Sequence, residues 1–220
     1  MLIAMKDILN SNDNSNAPRW VDWAREIQAL AQTGYHYSEN DYQRQRNYRL
    51  SEIAAEMINT HSKIDKAQLF ALFQEQIGYA TPRIDVRGVV FRNDSLLMVR
   101  EKADGGWTLP GGWADVGDVP SEAVEREVYE ESGFRVQARS IIGVYDANRI
   151  MPIELFHAYK IVFRCDLIGG QGRPSNETSE VNFFDYDDLP KTLSGERTHL
   201  RHLEDAFKSM QEINKPTVFD

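Results

Sequence analysis

The sequence predicts an α+β fold with a mixed sheet, preceded by a small all-α N-terminal domain. Residues 1–78 show only helical apolar spacing, and strand-like segments begin at residue 83. In this second part, strands lie on both sides of one short helix and a further helix closes the chain, which suggests a mixed α/β or α+β sandwich. We therefore expect domains at 1–78 and 83–220, joined by a linker at 79–82 (YATP).

The N-terminal domain is predicted to contain three helices after a polar stretch that leaves residues 1–17 partly flexible. The first helix would begin at Pro18 and end at Gly34, because apolar residues recur at spacings of three and four. These residues are Trp20, Trp23, Ala24, Ile27 and Ala31.

A second helix is predicted over residues 38–60 and a third over residues 65–77. Ser38, followed by Asp41 three residues later, forms a variant of the capping box at the start of the second helix. Its apolar stripe would be Tyr42, Leu50, Ile53 and Met57. The third helix would bury Leu69, Phe70, Leu72 and Phe73 and end at Gly78.

The second domain alternates strand and helix signals. Strands are predicted at 83–91 and 96–101, separated by a turn at 93–95, and again at about 136–145, 156–167 and 181–186. A helix is predicted over residues 120–132, between Pro120, which suits a first helical turn, and Gly133, which suits a helix end. A last amphipathic helix is predicted over residues 196–210.

Charge and composition disfavour several functions, among them broad binding to nucleic acid and insertion into a membrane. The formal charge is −9, and a field of that sign disfavours broad binding to nucleic acid or to anionic lipid. No apolar run is long enough to span a membrane, and the first ten residues (MLIAMKDILN) do not resemble a signal peptide. Cys165 is the single cysteine, so no internal disulfide is possible, and we expect a cytoplasmic protein. Chemistry on phosphate would need a divalent cation to reverse the local charge.

The stretch from Gly112 to Phe134 carries the chemical signal. On a helix, Glu127, Glu130 and Glu131 share one face, within an arc of roughly 100°. Three neighbouring carboxylates repel one another unless a hard cation such as Mg²⁺ or Mn²⁺ binds between them. An isolated pattern of this kind is more often a solvated face, but the strand, glycine loop and helix around it favour a metal site.

Two neighbouring features support that interpretation. The loop 109–112 (LPGG) can bring its backbone close to a metal or a phosphate, because glycine has no side chain in the way. Arg126 can pair with a carboxylate and hold its rotamer.

These residues resemble the Nudix box, G-x5-E-x7-R-E-U-x-E-E-x-G-U, in which U is a large apolar residue. The match runs from Gly112 through Arg126 and the three glutamates to Gly133 and Phe134, with Asp118 in place of the usual glutamate. The resemblance implies an α/β/α sandwich that hydrolyses a nucleoside diphosphate linked to a second group. It also implies Mg²⁺ or Mn²⁺ bound by Gly112, Glu127, Glu130 and Glu131.

Catalytic roles follow from the same resemblance. Glu127, Glu130 and Arg126 would belong to the catalytic helix, and a further acidic residue on a later loop often serves as base or extra ligand. Glu177 and Glu180 are the candidates for that residue, although both could be inert loop acids.

The substrate is less constrained. Residues 20–58 resemble the N-terminal extension of a bacterial two-domain subgroup that includes CDP-choline pyrophosphatase and members named as ADP-ribose pyrophosphatases. Aromatic faces bind quaternary ammonium groups, so the aromatic residues of the extension favour CDP-choline, although Trp20 and Trp23 would also suit a helical core. Candidate substrate-binding residues are Arg46, Arg49, Arg83, Trp107 and Gly111, although the arginines of the extension could equally form a solvated face.

ADP-ribose is the alternative substrate. Classical ADP-ribose pyrophosphatases carry a proline at a set distance after the box, and here Pro152 is displaced from it. Tyr145 likewise comes too early to be the tyrosine expected of dinucleoside polyphosphate hydrolases. A different class of function is a non-catalytic nucleotide sensor, which the intact carboxylate set disfavours. We also expect a homodimer, because the helical domain is small and rich in large apolar residues.

Overall fold

The computed structural model describes residues 19–62, 64–150, 156–195, 197–212 and 216–220. The predicted helix start at Pro18, the flexible stretch 1–17 and the displaced Pro152 lie outside the described residues. The described chain forms two compact units. The first contains the described residues up to Pro82 together with 156–157, and the second contains Arg83–Ile150 and the described residues from Ala158 onward. Each unit is described by itself below.

The first unit contains the helices α1 (Arg19–His36), α2 (Asp41–His61) and α3 (Lys66–Gln74). Small residues form much of its core, since Ala24, Ala54 and Ala55 are fully buried. The predicted end of the first helix at Gly34 is wrong, because α1 continues to His36. Gly34 serves close packing instead: a Cβ at this position would lie 2.5 Å from Oδ1 of Asn47 on α2.

The predicted cap of the second helix is also wrong, and its predicted stripe is wrong in part, since Met57 packs against the buried cluster but other members do not. Asn40 is the N-cap, and its side chain accepts a hydrogen bond from the Gln43 amide at 2.9 Å. The Ser38 hydroxyl instead donates to the Gly34 carbonyl at 2.6 Å. Tyr42 and Leu50 are exposed, because α2 buries a face of small residues with one isoleucine: Ser51, Ala54, Ala55 and Ile58.

The third helix is shorter than predicted. Asp65 caps it by accepting hydrogen bonds from the amides of Ala67 and Gln68. It ends at Gln74, four residues before Gly78, and Ile77 is exposed.

The second unit contains the remaining helices and eight strands among the residues that the structure describes. The strands are β1 (Arg83–Arg92), β2 (Ser95–Glu101), β3 (Trp107–Thr108), β4 (Gly111–Trp113), β5 (Phe134–Asp146), β6 (Ala158–Gly170), β7 (Thr178–Phe184) and β8 (Val218–Phe219). The helices are α4 (Pro120–Ser132), the short α5 (Ala147–Ile150) and α6 (Leu200–Gln211), with a 3-10 turn at Tyr186–Asp188.

Strand β1 organises a mixed sheet. Its length runs parallel to β6, while β4 pairs antiparallel with residues 85–87 and β2 pairs antiparallel with its last two residues. The main order is β3-β2-β1-β6-β5-β8, with β7 paired to β2. The tight turn between β1 and β2 uses Asn93 and Asp94, both in the left-handed region.

Helices cover the sheet on two sides. On one side, Val124 and Val128 of α4 pack on strand residues such as Val86 and Val90. On the other side, Leu203 and Phe207 of α6 belong to a second buried cluster. This helix–sheet–helix arrangement after a helical N-terminal region confirms the predicted fold class.

The predicted start of the last helix at residue 196 is wrong, because α6 begins at Leu200. The ring nitrogens of His199 and His202 each accept a backbone N–H of the first turn, which defines a cap at His199. The preceding residues run beside β3 instead, where the Ser194 amide donates to the Trp107 carbonyl at 2.8 Å. Among the described residues, no helix is both long and apolar enough to cross a membrane.

Candidate active site

The acidic face lies on α4, and residues at the two ends of this helix and beneath it determine its position. Pro120 starts the helix, and Gly133 ends it in the left-handed conformation with φ +78°. A Cβ at Gly88 of β1 would lie 2.4 Å from a methyl carbon of Val128, so the glycine permits the helix to approach the strand closely. The acidic face of α4 is thereby fixed beside the glycine loop 109–112, which leads into β4.

The glycine loop contacts the helix through Glu131. The Gly111 amide donates a 2.9 Å hydrogen bond to Oε2 of Glu131, which is buried. Gly111 has φ +146°, and a Cβ there would lie 2.0 Å from the Val86 carbonyl oxygen. Only glycine fits this position, so the loop and the carboxylate are held together by backbone geometry.

Gly112 brings the loop against a second carboxylate. A Cβ at Gly112 would lie 2.6 Å from Oε2 of Glu127. Arg126 holds the other oxygen of Glu127 at 2.6 Å, and it also contacts Asp118 at 3.0 Å and Glu130 at 3.5 Å. The aspartate that replaces the usual glutamate of the box thus still reaches the arginine.

The carboxylates of this cluster are incompletely compensated. Burial raises the pKa of Glu131 to about 7, although Arg87 and the Gly111 amide oppose that rise. Burial also raises the pKa of Glu127, against the opposing effect of Arg126. Negative charge at this site is therefore costly unless a cation is close to it.

A buried ionic cluster, which the sequence did not reveal, lies on β1 and β6. Arg87 donates from Nε and Nη2 to both carboxylate oxygens of Asp85 at 2.8 Å, and Lys160 contacts the same carboxylate at 3.0 Å. Arg87 also donates to the Leu109 carbonyl at 3.2 Å, so it supports the glycine loop. The i, i+2 spacing of Asp85 and Arg87 on a strand was the available signal.

Glu101 is a second feature absent from the sequence prediction. It is almost fully buried at the end of β2, beside a β-bulge opposite Thr178, and its Oε1 accepts no hydrogen bond from the described residues. The nearest cation is Nε of Arg197, 3.3 Å away. The Thr178 hydroxyl donates to the Glu131 carbonyl at 2.7 Å, so Glu101 belongs to the surroundings of Glu131.

A cavity of about 430 Å³ opens on the acidic face of α4. Its lining is Glu127, Tyr129, Glu130, Glu131, Arg173, Ser175, Asn176 and Glu177. Of the two loop acids considered, Glu177 lines this cavity, whereas Glu180 lies outside the lining and contacts Nη1 of Arg100 at 2.6 Å. Arg173 was not a candidate in the sequence, because no motif contains it.

The donors of this site fit a hard divalent cation. They are carboxylate and backbone oxygens, which Mg²⁺ and Mn²⁺ prefer, and glycine keeps the loop backbone clear for them. Within the described ranges, no three Asp, Glu, His or Cys side chains are already gathered tightly enough to hold one ion. A cation would therefore have to compete with Arg126 for Glu127.

The other predicted substrate-binding residues lie elsewhere. Trp107 packs edge-on against Phe184 with ring centroids 4.7 Å apart, as part of the core. Arg83 is the exposed first residue of β1. On α2, Arg49 pairs with Glu52 and Glu56 of the same helix, and Arg46 stacks over the Tyr42 ring at 5.6 Å.

The aromatic residues of the first unit are divided between core and surface. Trp20 stacks on His61 with centroids 4.6 Å apart and packs against the buried cluster. Trp23 is about half exposed, with a relative exposure of 49%. Tyr35, Tyr37, Tyr42 and Tyr48 are also exposed.

Comparison with known families agrees with this geometry. The chain belongs to the Nudix family: the profile described as NUDIX domain matches residues 81–205. A second profile, described as a UDP-X-like N-terminal oligomerisation domain, matches residues 18–73. The protein is therefore a two-domain Nudix hydrolase.

Two of the relatives extend over nearly the whole chain. YjhB of Bacillus subtilis, named as a candidate ADP-ribose pyrophosphatase, is 38% identical over 92% of this chain and 97% of its own. The solved structure of a UDP-X diphosphatase covers 99% of this chain and 100% of its own, with 27% identity and a TM-score of 0.59. An ADP-ribose pyrophosphatase of Streptococcus suis covers 64% of this chain and 100% of its own, with 34% identity and a TM-score of 0.59.

Proposed function

We propose that the protein hydrolyses, with Mg²⁺, the pyrophosphate bond of a nucleoside diphosphate linked to a second group, and that ADP-ribose is its substrate. The observation that carries this proposal is that Glu127 and Glu131 line a cavity and lie directly against Gly111 and Gly112. Buried carboxylates without full compensation are suited to a divalent cation, and a cation there would neutralise the charge of a diphosphate.

Each residue of the site has a role in this proposal. Glu127, Glu130, Glu131 and the Gly112 backbone would hold the cation, which lowers the pKa of water and polarises the phosphate when bound. Arg126 orients Glu127 from the adjacent position of the helix. Glu177, which lines the same cavity, would accept the proton of the attacking water.

The preference for ADP-ribose is supported by the relatives whose names assign that substrate. CDP-choline remains the second candidate. The observation that favours it is the exposure of several aromatic faces in the first unit, since such faces attract a quaternary ammonium group.

A substrate screen tests the proposal. ADP-ribose, CDP-choline, UDP-glucose and a dinucleoside polyphosphate would each be incubated with the protein and Mg²⁺, and the products identified by mass. AMP and ribose 5-phosphate are expected from ADP-ribose, and hydrolysis in oxygen-18 water would identify the phosphorus attacked. CMP and phosphocholine alone would select CDP-choline, and no cleavage of any compound would reject the enzymatic proposal.

We further propose that the protein is a homodimer assembled through its helical unit. Support comes from the description of the matched N-terminal family and from exposed apolar residues on these helices, among them Leu30 and Leu50. Light scattering at micromolar concentration should give twice the mass of the 25.3 kDa chain. A monomeric mass would contradict the proposal.

A further inference from the structure

The cavity on α4 is strongly asymmetric in charge. Four carboxylates line it, at Glu127, Glu130, Glu131 and Glu177. Of the described residues in this lining, Arg173 is the one cation. A diphosphate in this cavity would therefore meet one positive side chain besides any bound metal.

Arg173 is fixed at its base and free at its tip. Its amide donates to the Ser132 carbonyl at 2.9 Å, at the C-terminal end of α4. A Cβ at Gly133 would lie 2.5 Å from Cγ of Arg173, so the glycine makes room for the stem of the side chain. The guanidinium lies 5.3 Å from the centroid of the Tyr129 ring, and within the described chain it has no hydrogen-bond or ion-pair partner.

An unpaired guanidinium beside so many carboxylates is unusual. Arg126, which lies on α4, contacts three carboxylates. Arg173 contacts none of the described carboxylates, and its guanidinium lies over the Tyr129 ring instead. Its five N–H donors are thus available to a bound anion, and their planar fork matches the oxygens of a phosphate.

We propose that Arg173 is a substrate-binding residue that hydrogen-bonds the non-bridging oxygens of the substrate diphosphate. This inference rests on the proposed function and names the ligand group of the same cavity. The metal would neutralise the side of the diphosphate that faces α4, and Arg173 binds the side that faces the loop 171–177. Tyr129 is the platform that fixes the guanidinium for this contact.

Arg135 offers a matched control. Its guanidinium also stacks over Tyr129, at 5.9 Å from the ring centroid, but Arg135 does not line the cavity. Replacement of either arginine removes one stacking contact with the same ring. Only the replacement of Arg173 removes a donor that faces the cavity.

The test measures binding of ADP with Mg²⁺ by calorimetry, because ADP contains the diphosphate and no second group. Arg173→Gln should weaken ADP binding about tenfold or more, as the loss of a charge-assisted hydrogen bond predicts, and Arg173→Lys should weaken it less. Arg135→Gln should leave the Kd within about twofold of the original protein. The KM for ADP-ribose should rise by the same factor in Arg173→Gln, with little change in kcat.

Thermal unfolding of each variant distinguishes a loss of ADP binding from a loss of folded protein. Unchanged Tm values are expected for both arginine replacements. An unaltered Kd in Arg173→Gln would overturn the proposal, as would equal weakening in Arg135→Gln or an absence of ADP binding to the original protein. If ADP binds as expected and no diphosphate substrate is cleaved, the proposed function fails while this contact stands.

Discussion

Two groups of buried charges differ in how completely they are paired. In the cluster of Asp85, Arg87 and Lys160, both carboxylate oxygens have cationic donors within 3.0 Å. Among the described residues, Glu131, which lines the cavity, accepts one backbone amide, and the buried Glu101 near it has one arginine at 3.3 Å. The charge of Asp85 is therefore balanced by cations of the protein itself, whereas the charges of Glu131 and Glu101 are balanced only in part.

The pKa values express this difference. Burial opposes ionisation of Asp85, but Arg87 and Lys160 outweigh it and lower the pKa to about 2. Burial raises the pKa of Glu131 to about 7, since its partners only partly offset the loss of water. Removal of one partner from a fully paired buried cluster destabilises the fold, whereas incompletely paired carboxylates that line a cavity form a candidate ligand site.

The largest expected effect on stability is from Asp85→Asn. It would leave two buried cations without a counter-charge and should cost about 3–5 kcal/mol in the free energy of unfolding. The contribution of Asp85 is present above its unfolded pKa of 3.8 and is lost as the pH falls through 2. Urea unfolding at pH 7 measures the loss, and a loss below 1 kcal/mol would contradict the assigned pairing.

The next effect is on turnover. Glu131→Gln retains an oxygen that can accept the Gly111 N–H but removes the negative charge, so the protein should fold while ADP-ribose hydrolysis falls roughly 10³-fold. Glu130→Gln should act similarly without disturbing a buried group. Circular dichroism supplies the folding control, and near-normal rates in both variants would remove these residues from the mechanism.

A smaller effect is expected on the stability of Glu131→Gln, and it should depend on pH. Because the pKa of Glu131 is raised on folding, its carboxyl stabilises the protein below the unfolded pKa of 4.5, and this stabilisation is lost as the pH rises through 7. With EDTA present, Glu131→Gln should thus be more stable than the original protein by about 1–3 kcal/mol at pH 8. The advantage should vanish at pH 4, and a difference that does not vary with pH would contradict the assignment.

The smallest expected effect is from Arg126→Gln. Its side chain is partly exposed, so Tm should change by no more than a degree or two. Turnover should fall about tenfold, because Glu127 loses the group that orients it. A loss of stability as large as that of Asp85→Asn would instead show that Arg126 is needed mainly to stabilise the fold.

Local signals in the sequence were sufficient for part of the molecule. The bounds of α4 followed from Pro120 and Gly133, whose backbone preferences act within one turn. The start of α2 did not, since Ser38 and Asn40 are both good caps, and the Ser38 hydroxyl bonds back to the Gly34 carbonyl in α1 while Asn40 accepts the Gln43 amide. The small buried face of α2 was missed because alanine is not distinctive in a sequence.

The candidate site shows the same division. The box glutamates were found because their spacing on one helix brings them together. Glu101, Arg87 and Arg173 lie on separate strands and loops. Their distances along the sequence therefore do not predict that they come close to the site. Trp107 was proposed for substrate binding from its place in the glycine-rich stretch, yet its ring packs in the core.

Titration of the metal-free protein with Mn²⁺ tests most directly whether the incompletely paired carboxylates bind a divalent cation. Calorimetry with ADP present should show uptake by the original protein, and at least tenfold weaker binding by Glu131→Gln. Asp85→Glu, which retains the charge of the complete cluster, should bind Mn²⁺ as the original protein does. Absence of uptake, or equal uptake by Glu131→Gln, would contradict the account.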